Sequence, residues 1–199
     1  MRAFYSWLFA FLAPIIPTLV DSAPTSISWS SPANDLSATG QRTASQRIAL
    51  SADGTKATAI WTRGSSTSNQ IVQSASATIS GNSASWSAPI DLSGLVTYGA
   101  QVSLSSDGTK ATAVWREGNN IKARSATITG NNAVWGSTST LSSYTAQNPV
   151  LSLSSDGSTA IAVWEGSLAG HSIIQASTAN ISGNLANWAT PNDLSLIHI

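Results

Sequence analysis

Two blocks of sequence recur three times along this 199-residue chain, and the repetition restricts the fold more than any other feature. The first runs Ile48-Ala49-Leu50-Ser51-Ala52-Asp53-Gly54-Thr55-Lys56-Ala57-Thr58-Ala59-Ile60-Trp61 and returns as Val102 to Trp115 and Leu151 to Trp164. The second, Val72 to Asn82 followed by Trp86, returns as Ile121 to Asn131 with Trp135 and Ile174 to Asn184 with Trp188. Trp29 ahead of Asp35-Leu36-Ser37 reads as the end of an earlier copy. It matches Trp86 ahead of Asp91-Leu92-Ser93 and Trp188 ahead of Asp193-Leu194-Ser195. The turn residues Asp53, Asp107 and Asp156 return about every fifty residues, too short a unit to bury both of its faces without stacked neighbours.

Within one copy the local signals fall in the order that four antiparallel strands require. Strand a covers Ile48 to Ser51. Asp53-Gly54 supplies the positive φ of a tight turn, and strand b then alternates Ala57, Ala59 and Trp61 with Lys56, Thr58 and Ile60. Strand c runs from about Val72 to Ile79, Gly81-Asn82 turns the chain, and strand d carries Trp86. Both faces of strand b carry packing residues, and small Ala and Ser beside large Trp, Ile and Leu suit closely stacked sheets. The seven tryptophans of the repeats are therefore expected between sheets rather than stacked on sugars at the surface. The predicted fold is all-β: antiparallel four-stranded repeats of about fifty residues, the size of β-propeller blades.

One hairpin per copy carries a family likeness. Leu104-Ser105-Ser106-Asp107-Gly108-Thr109-Lys110-Ala111 resembles the Ser-x-Asp-Gly hairpin of WD-repeat-like bacterial propellers and, more loosely, the Asp-box repeats of sialidase-type propellers. It departs from the Asp-box, where one residue separates the Asp from its Gly, because Asp53-Gly54, Asp107-Gly108 and Asp156-Gly157 are adjacent. The resemblance implies a fold and leaves activity open, since such hairpins occur in enzymes and binding proteins alike.

The expected organisation is a leader over 1–22, the end of a preceding blade and its connection over 23–47, repeats over 48–101, 102–150 and 151–195, and a tail over 196–199. Arg2 followed by an apolar run to Val20 reads as a signal peptide with cleavage after Ser22 or Ala23. Pro14 and Pro17 interrupt a run already marginal for an uncleaved anchor, so no stable membrane insertion is expected after leader removal. The expected location is secreted, periplasmic or cell-surface. Three repeats are fewer than a closed propeller needs, and Leu196-Ile197-His198-Ile199 match nothing in the repeat. The expectation is a fragment with a non-native tail; closure by self-association and an open solenoid-like array are the alternatives.

Function is expected where the repeat is broken. The Asp-Gly and Gly-Asn turns recur unchanged at one edge of the sheets, whereas the b–c and d–a connections emerge at the other and vary in length. Trp61 to Val72 and Trp164 to Ile174 are nearly twice as long as Trp115 to Ile121. That rim carries the candidate ligand-binding residues Arg63, Arg116, Glu117, Glu165 and His171 on b–c, with Tyr98 and Tyr144 on d–a. Arg and Tyr together suit a protein or carbohydrate ligand, through bidentate hydrogen bonds and flat apolar faces.

Nine Lys and Arg balance nine Asp and Glu, so no basic field attracts nucleic acid. The absence of cysteine removes disulfides, thiolate catalysis and Cys-based zinc sites, and neither a metal nor a cofactor is expected. No catalytic residue is assigned. Glu117 and Glu165 are the only mature carboxylates off the repeat pattern, an unspecific pair for glycoside hydrolysis. Arg63, Arg116, Tyr98 and Tyr144 lack the motif of a sialidase-like site, and His171 lacks a nucleophile elbow. The turn aspartates and Asp35, Asp91 and Asp193 are expected to be structural. The leading expectation is a binding or adhesion scaffold, the alternatives being a fragment of a propeller glycosidase or a structural region of a larger surface protein.

Overall fold

The computed structural model describes residues 35–37, 40–66, 69–94 and 96–194. The leader, Trp29 and the tail over 196–199 lie outside the described residues.

Every described element is a strand, and the strands form three sheets of the same plan. The first contains β1 (Arg42–Leu50), β2 (Lys56–Ser66), β3 (Asn69–Ser80), β4 (Ser83–Trp86) and β5 (Ile90–Asp91). The second contains β6 (Thr97–Leu104), β7 (Lys110–Glu117), β8 (Asn120–Thr129), β9 (Asn132–Trp135) and β10 (Ser139–Thr140). The third contains β11 (Ala146–Leu153), β12 (Thr159–Leu168), β13 (His171–Ser182), β14 (Leu185–Trp188) and β15 (Asn192–Asp193). In each, the last two segments pair antiparallel with the same third strand, so together they are one interrupted strand d. Pro89 and Pro191 stand at two of the interruptions, where the missing N–H removes a ladder bond. The architecture is three antiparallel four-stranded blades of an incomplete β-propeller.

The sheets are longer than the turn signals indicate. Strand a begins at Arg42, Thr97 and Ala146, ahead of the expected Ile48, Val102 and Leu151. Each copy is extended through a bulge, at Ala44/Arg47, Tyr98/Gln101 and Gln147/Val150, with Ser45, Gly99 and Asn148 at positive φ. A bulge admits an extra residue at the cost of a left-handed backbone, which Gly and Asn adopt most readily. The b–c connections are hairpins rather than loops: Ser66 pairs with Asn69, Glu117 with Asn120, and Leu168 with His171. Their varied length is absorbed into the ladder.

Alternation along strand b decides what each sheet buries. Ile60, Val72 and Leu92 of the first sheet pack against Ala113, Trp115 and Trp135 of the second. Val114, Ile121 and Leu141 of the second pack in the same way against Ala162, Trp164 and Trp188 of the third. The Trp-bearing face of each sheet therefore receives the Ile/Leu face of the sheet before it. Leu36 takes the corresponding place on Trp61 and Trp86. A buried indole removes roughly 150–250 Å² from water, on the order of 4–6 kcal/mol of transfer free energy, which makes these interfaces the core. The a strands β1, β6 and β11 are successive inner neighbours, and backbone bonds from Ala52 to Ser106 and from Ser106 to Ser155, each 2.8 Å, tie one blade to the next.

Candidate functional site

The two rims are built differently, and the difference begins at the Asp-Gly turn. Ser51 Oγ donates to Asp53 Oδ1 at 2.6 Å, while the Thr55 amide and hydroxyl donate to the same carboxylate at 3.0 and 2.8 Å. The Lys56 amide closes the loop on Ser51 Oγ at 3.0 Å. The set repeats around Asp107 with Ser105 and Thr109, and around Asp156 with Ser154 and Ser158. Bonds to the ionised form, the serine hydroxyl first, hold all three carboxyls down to about 2. Gly108 sits at φ +66 with the Lys56 stem so close that a Cβ would lie 2.7 Å from it, and Gly157 receives Lys110 in the same manner. These aspartates are hairpin clasps.

The opposite rim carries the seven candidate residues, all but Tyr144 on strands rather than connections. Arg63 lies in β2, Tyr98 in β6, Arg116 and Glu117 in β7, Glu165 in β12 and His171 at the start of β13. Tyr144 occupies the connection from β10 to β11 and is exposed. Tyr98 belongs to strand a because the bulge extends β6, and it pairs in register with Arg116. The guanidinium carbon of Arg116 lies 5.9 Å from the Tyr98 ring centroid, and its Nε donates to the Gly118 carbonyl at 2.7 Å. Arg116 and Tyr98 thus present a flat aromatic and cationic surface.

The remaining candidates are engaged separately. Arg63 forms an ion pair with Asp91 at 3.2 Å and donates to Gln41 at 2.8 Å. Glu165 accepts from Ser172 at 3.1 Å and Asn148 at 3.2 Å, and hydrogen bonds from Gln147, Ser172 and Asn148 lower its pKa. Glu117 accepts the Trp115 indole N–H at 3.2 Å. In the third blade the matching indole, Trp164, donates to Gln175 Oε1 at 3.0 Å, and Gln175 donates on to Asp193 at 2.8 Å. Lys122 stands where the third blade has Gln175, and an ammonium has no acceptor, so in the second blade Glu117 supplies it. Lys122 instead donates to Thr140 at 2.6 Å.

Glu117 and Glu165 are not equivalent positions. Glu165 follows Trp164 directly, whereas Glu117 is one residue further along from Trp115, so the two carboxylates lie on opposite faces of their blades. The arrangement does not place them as a facing pair.

What the sequence missed is a recess above the second blade. β2 continues past Trp61 to Ser66 and β12 past Trp164 to Leu168, while β7 stops at Glu117. The short hairpin opens a recess of about 510 Å³ lined by Val96, Glu117, Gly118, Asn119, Asn120 and Lys122. The unequal b–c lengths were its signal in the sequence. Among the described residues no group of three or more His, Asp or Glu could hold a metal ion.

No protein-family model matches the chain, and no curated protein sequence matches it either.

Proposed function

We propose that this chain is an exported β-propeller-type scaffold for binding or adhesion, recognising a protein or glycan through the rim of b–c hairpins and d–a connections. The observation that carries the reading is the contrast between rims. Polar groups at the Asp-Gly rim repeat blade after blade and bond to one another. At the other rim the side chains change from blade to blade: Arg116 lies over the Tyr98 ring, and a recess lined by Glu117 and Lys122 opens at the same hairpin. Repeat arrays commonly bind where their repeats diverge. The Tyr98 ring can stack on the apolar face of a sugar or a peptide side chain, and a guanidinium donates in a fork suited to carboxylates and vicinal hydroxyls. The apolar leader sequence and the absence of cysteine fit export without disulfides.

Binding of the labelled chain to a glycan array and to a panel of displayed cell-surface proteins tests the proposal. A ligand bound by the native chain and lost in Tyr98→Ala and Arg116→Ala, with circular dichroism unchanged, supports it. Binding indifferent to both substitutions, or no binding in either panel, refutes it.

A further inference from the structure

The second blade breaks the repeat at four positions that lie together. In the first and third blades, Gln73 and Gln175 on strand c donate to Asp91 and Asp193 on strand d at 2.7 and 2.8 Å. The second blade has Lys122 in place of the glutamine and Thr140 in place of the aspartate, joined at 2.6 Å. Two residues away, Arg124 replaces Ala75 and Ser177, and Thr138 replaces Pro89 and Pro191; Arg124 Nε donates to Thr138 at 2.8 Å. Relative to its neighbours the strip has lost one negative charge and gained two positive ones. The fold gains nothing by the change, since Gln175 accepts the Trp164 indole N–H and Lys122 has no acceptor to offer Trp115.

No acid nearby neutralises the strip. Lys122 and Arg124 stand opposite Trp115 and Ala113, on the face turned to the first blade, and both are half-buried. That face meets Ile60, Val72, Ile90 and Leu92; Asp91, between the last two, points the other way and pairs with Arg63. Glu117 is engaged by the Trp115 indole. Among the described residues neither cation forms an ion pair, and the terminal nitrogens of Arg124 have no acceptor. Lys122 and Asn120 also line the recess of about 510 Å³ left by the short hairpin.

We propose that Lys122 and Arg124 bind the acidic groups, carboxylate or sulfate, of an anionic polysaccharide whose adjoining sugar enters the recess. The proposal rests on the rim being the ligand surface and names the class of ligand its second blade takes. An ammonium and a free guanidinium fork supply the counter-charge that an anion needs, and a half-buried cation without a partner gains from receiving one. The amides and hydroxyls of Asn119, Asn120, Thr138 and Thr140 suit the hydroxyls of a sugar, and the recess falls within the range of small-ligand pockets. A polynucleotide fits less well. The balanced charge of the chain gives no wide field for a phosphate backbone, and the Trp115 ring beside the strip is fully buried and cannot stack on a base.

Surface plasmon resonance of the full chain over polygalacturonate, dextran sulfate and neutral dextran, at about 0.15 M salt, tests the assignment. Binding to polygalacturonate identifies carboxylate and binding to dextran sulfate identifies sulfate, with dextran unbound. Lys122→Gln together with Arg124→Ser, the residues of the third blade, should weaken that binding by about tenfold or more with circular dichroism unchanged. Arg47→Gln, which removes a cation from an exposed position in β1, should leave it unchanged. Glu117→Gln keeps an acceptor for Trp115 and should tighten binding by about two- to threefold. Neither charged polymer bound, dextran bound equally, an equal loss in Arg47→Gln, or tighter binding of polyuridylate overturns the proposal. Tyr98 and Arg116 lie on the opposite face of the same blade, which separates this reading from that of the rim. Polymer binding lost in Tyr98→Ala and Arg116→Ala but kept in the Lys122 and Arg124 variant sustains the rim and overturns the acidic-ligand strip.

Discussion

At the rim of the Asp-Gly turns, three copies of one hydrogen-bond set lock three hairpins in the same conformation. At the rim of the b–c hairpins, the same strands end at different heights and in different side chains. The first rim also joins blades, through Ala52 to Ser106 to Ser155 and through lysine stems laid over Gly108 and Gly157. In this chain, repetition marks what holds the stack together.

The largest effect should come from the core that both rims share. Trp115→Ala empties the joint between the first two blades and should cost about 3–5 kcal/mol in chemical denaturation. A cost under about 1 kcal/mol would mean that the blades are not held by that face.

At the locked rim, Ser105→Ala removes a fully buried hydroxyl that both supports Asp107 and accepts from the Lys110 amide. A loss of about 1–3 kcal/mol is expected from the amide left without its partner. The same clasps set an acid limit. The folded carboxyls titrate at about 2, below the ordinary 3.8, so their stabilising contribution is complete above pH 4 and is lost as pH falls through 2. Stability measured against pH should fall over that window in the native chain. Replacing Ser51, Ser105 and Ser154 with Ala should flatten the fall; an unchanged slope would assign it to other groups.

Gly108→Ala and Gly54→Ala separate local strain from contact between blades. Both positions lie at positive φ, a cost of roughly 1–2 kcal/mol for a residue with a Cβ, but only Gly108 meets a lysine stem, and nothing lies within 4 Å at Gly54. Gly108→Ala should therefore lower the melting temperature further. Equal losses would show that the Lys56 stem adds nothing to the joint.

The smallest effect on stability belongs to the varied rim. Tyr98→Ala should change stability by less than about 1 kcal/mol, since the ring is half exposed and its pairing with Arg116 is at the surface. A large destabilisation would reassign Tyr98 from ligand contact to support of the bulge.

Local chemistry made much of the fold legible before any coordinates. Asp-Gly and Gly-Asn marked the turns, and alternation around Trp61, Trp115 and Trp164 marked the faces, because each signal acts within a few residues. The bulges at Ser45, Gly99 and Asn148 were not legible, nor was the pairing that makes hairpins of the b–c connections. A bulge exists only relative to the strand opposite it, and Ser-, Thr- and Asn-rich hairpin arms carry little hydrophobic alternation. The candidate site shows the same limit: the rim and its residues followed from broken repetition, but the roles did not. Glu117 accepts from Trp115, while Lys122, across the strand from that indole, offers it no acceptor.

Backbone preference and period were enough to give the repeat, the order of strands, the sites of the tight turns and the face of the sheet each side chain takes. Tertiary structure alone decided which face of each blade meets which neighbour and how far the hairpins reach above the rim. Those depend on contacts between segments tens of residues apart, and no local preference encodes them.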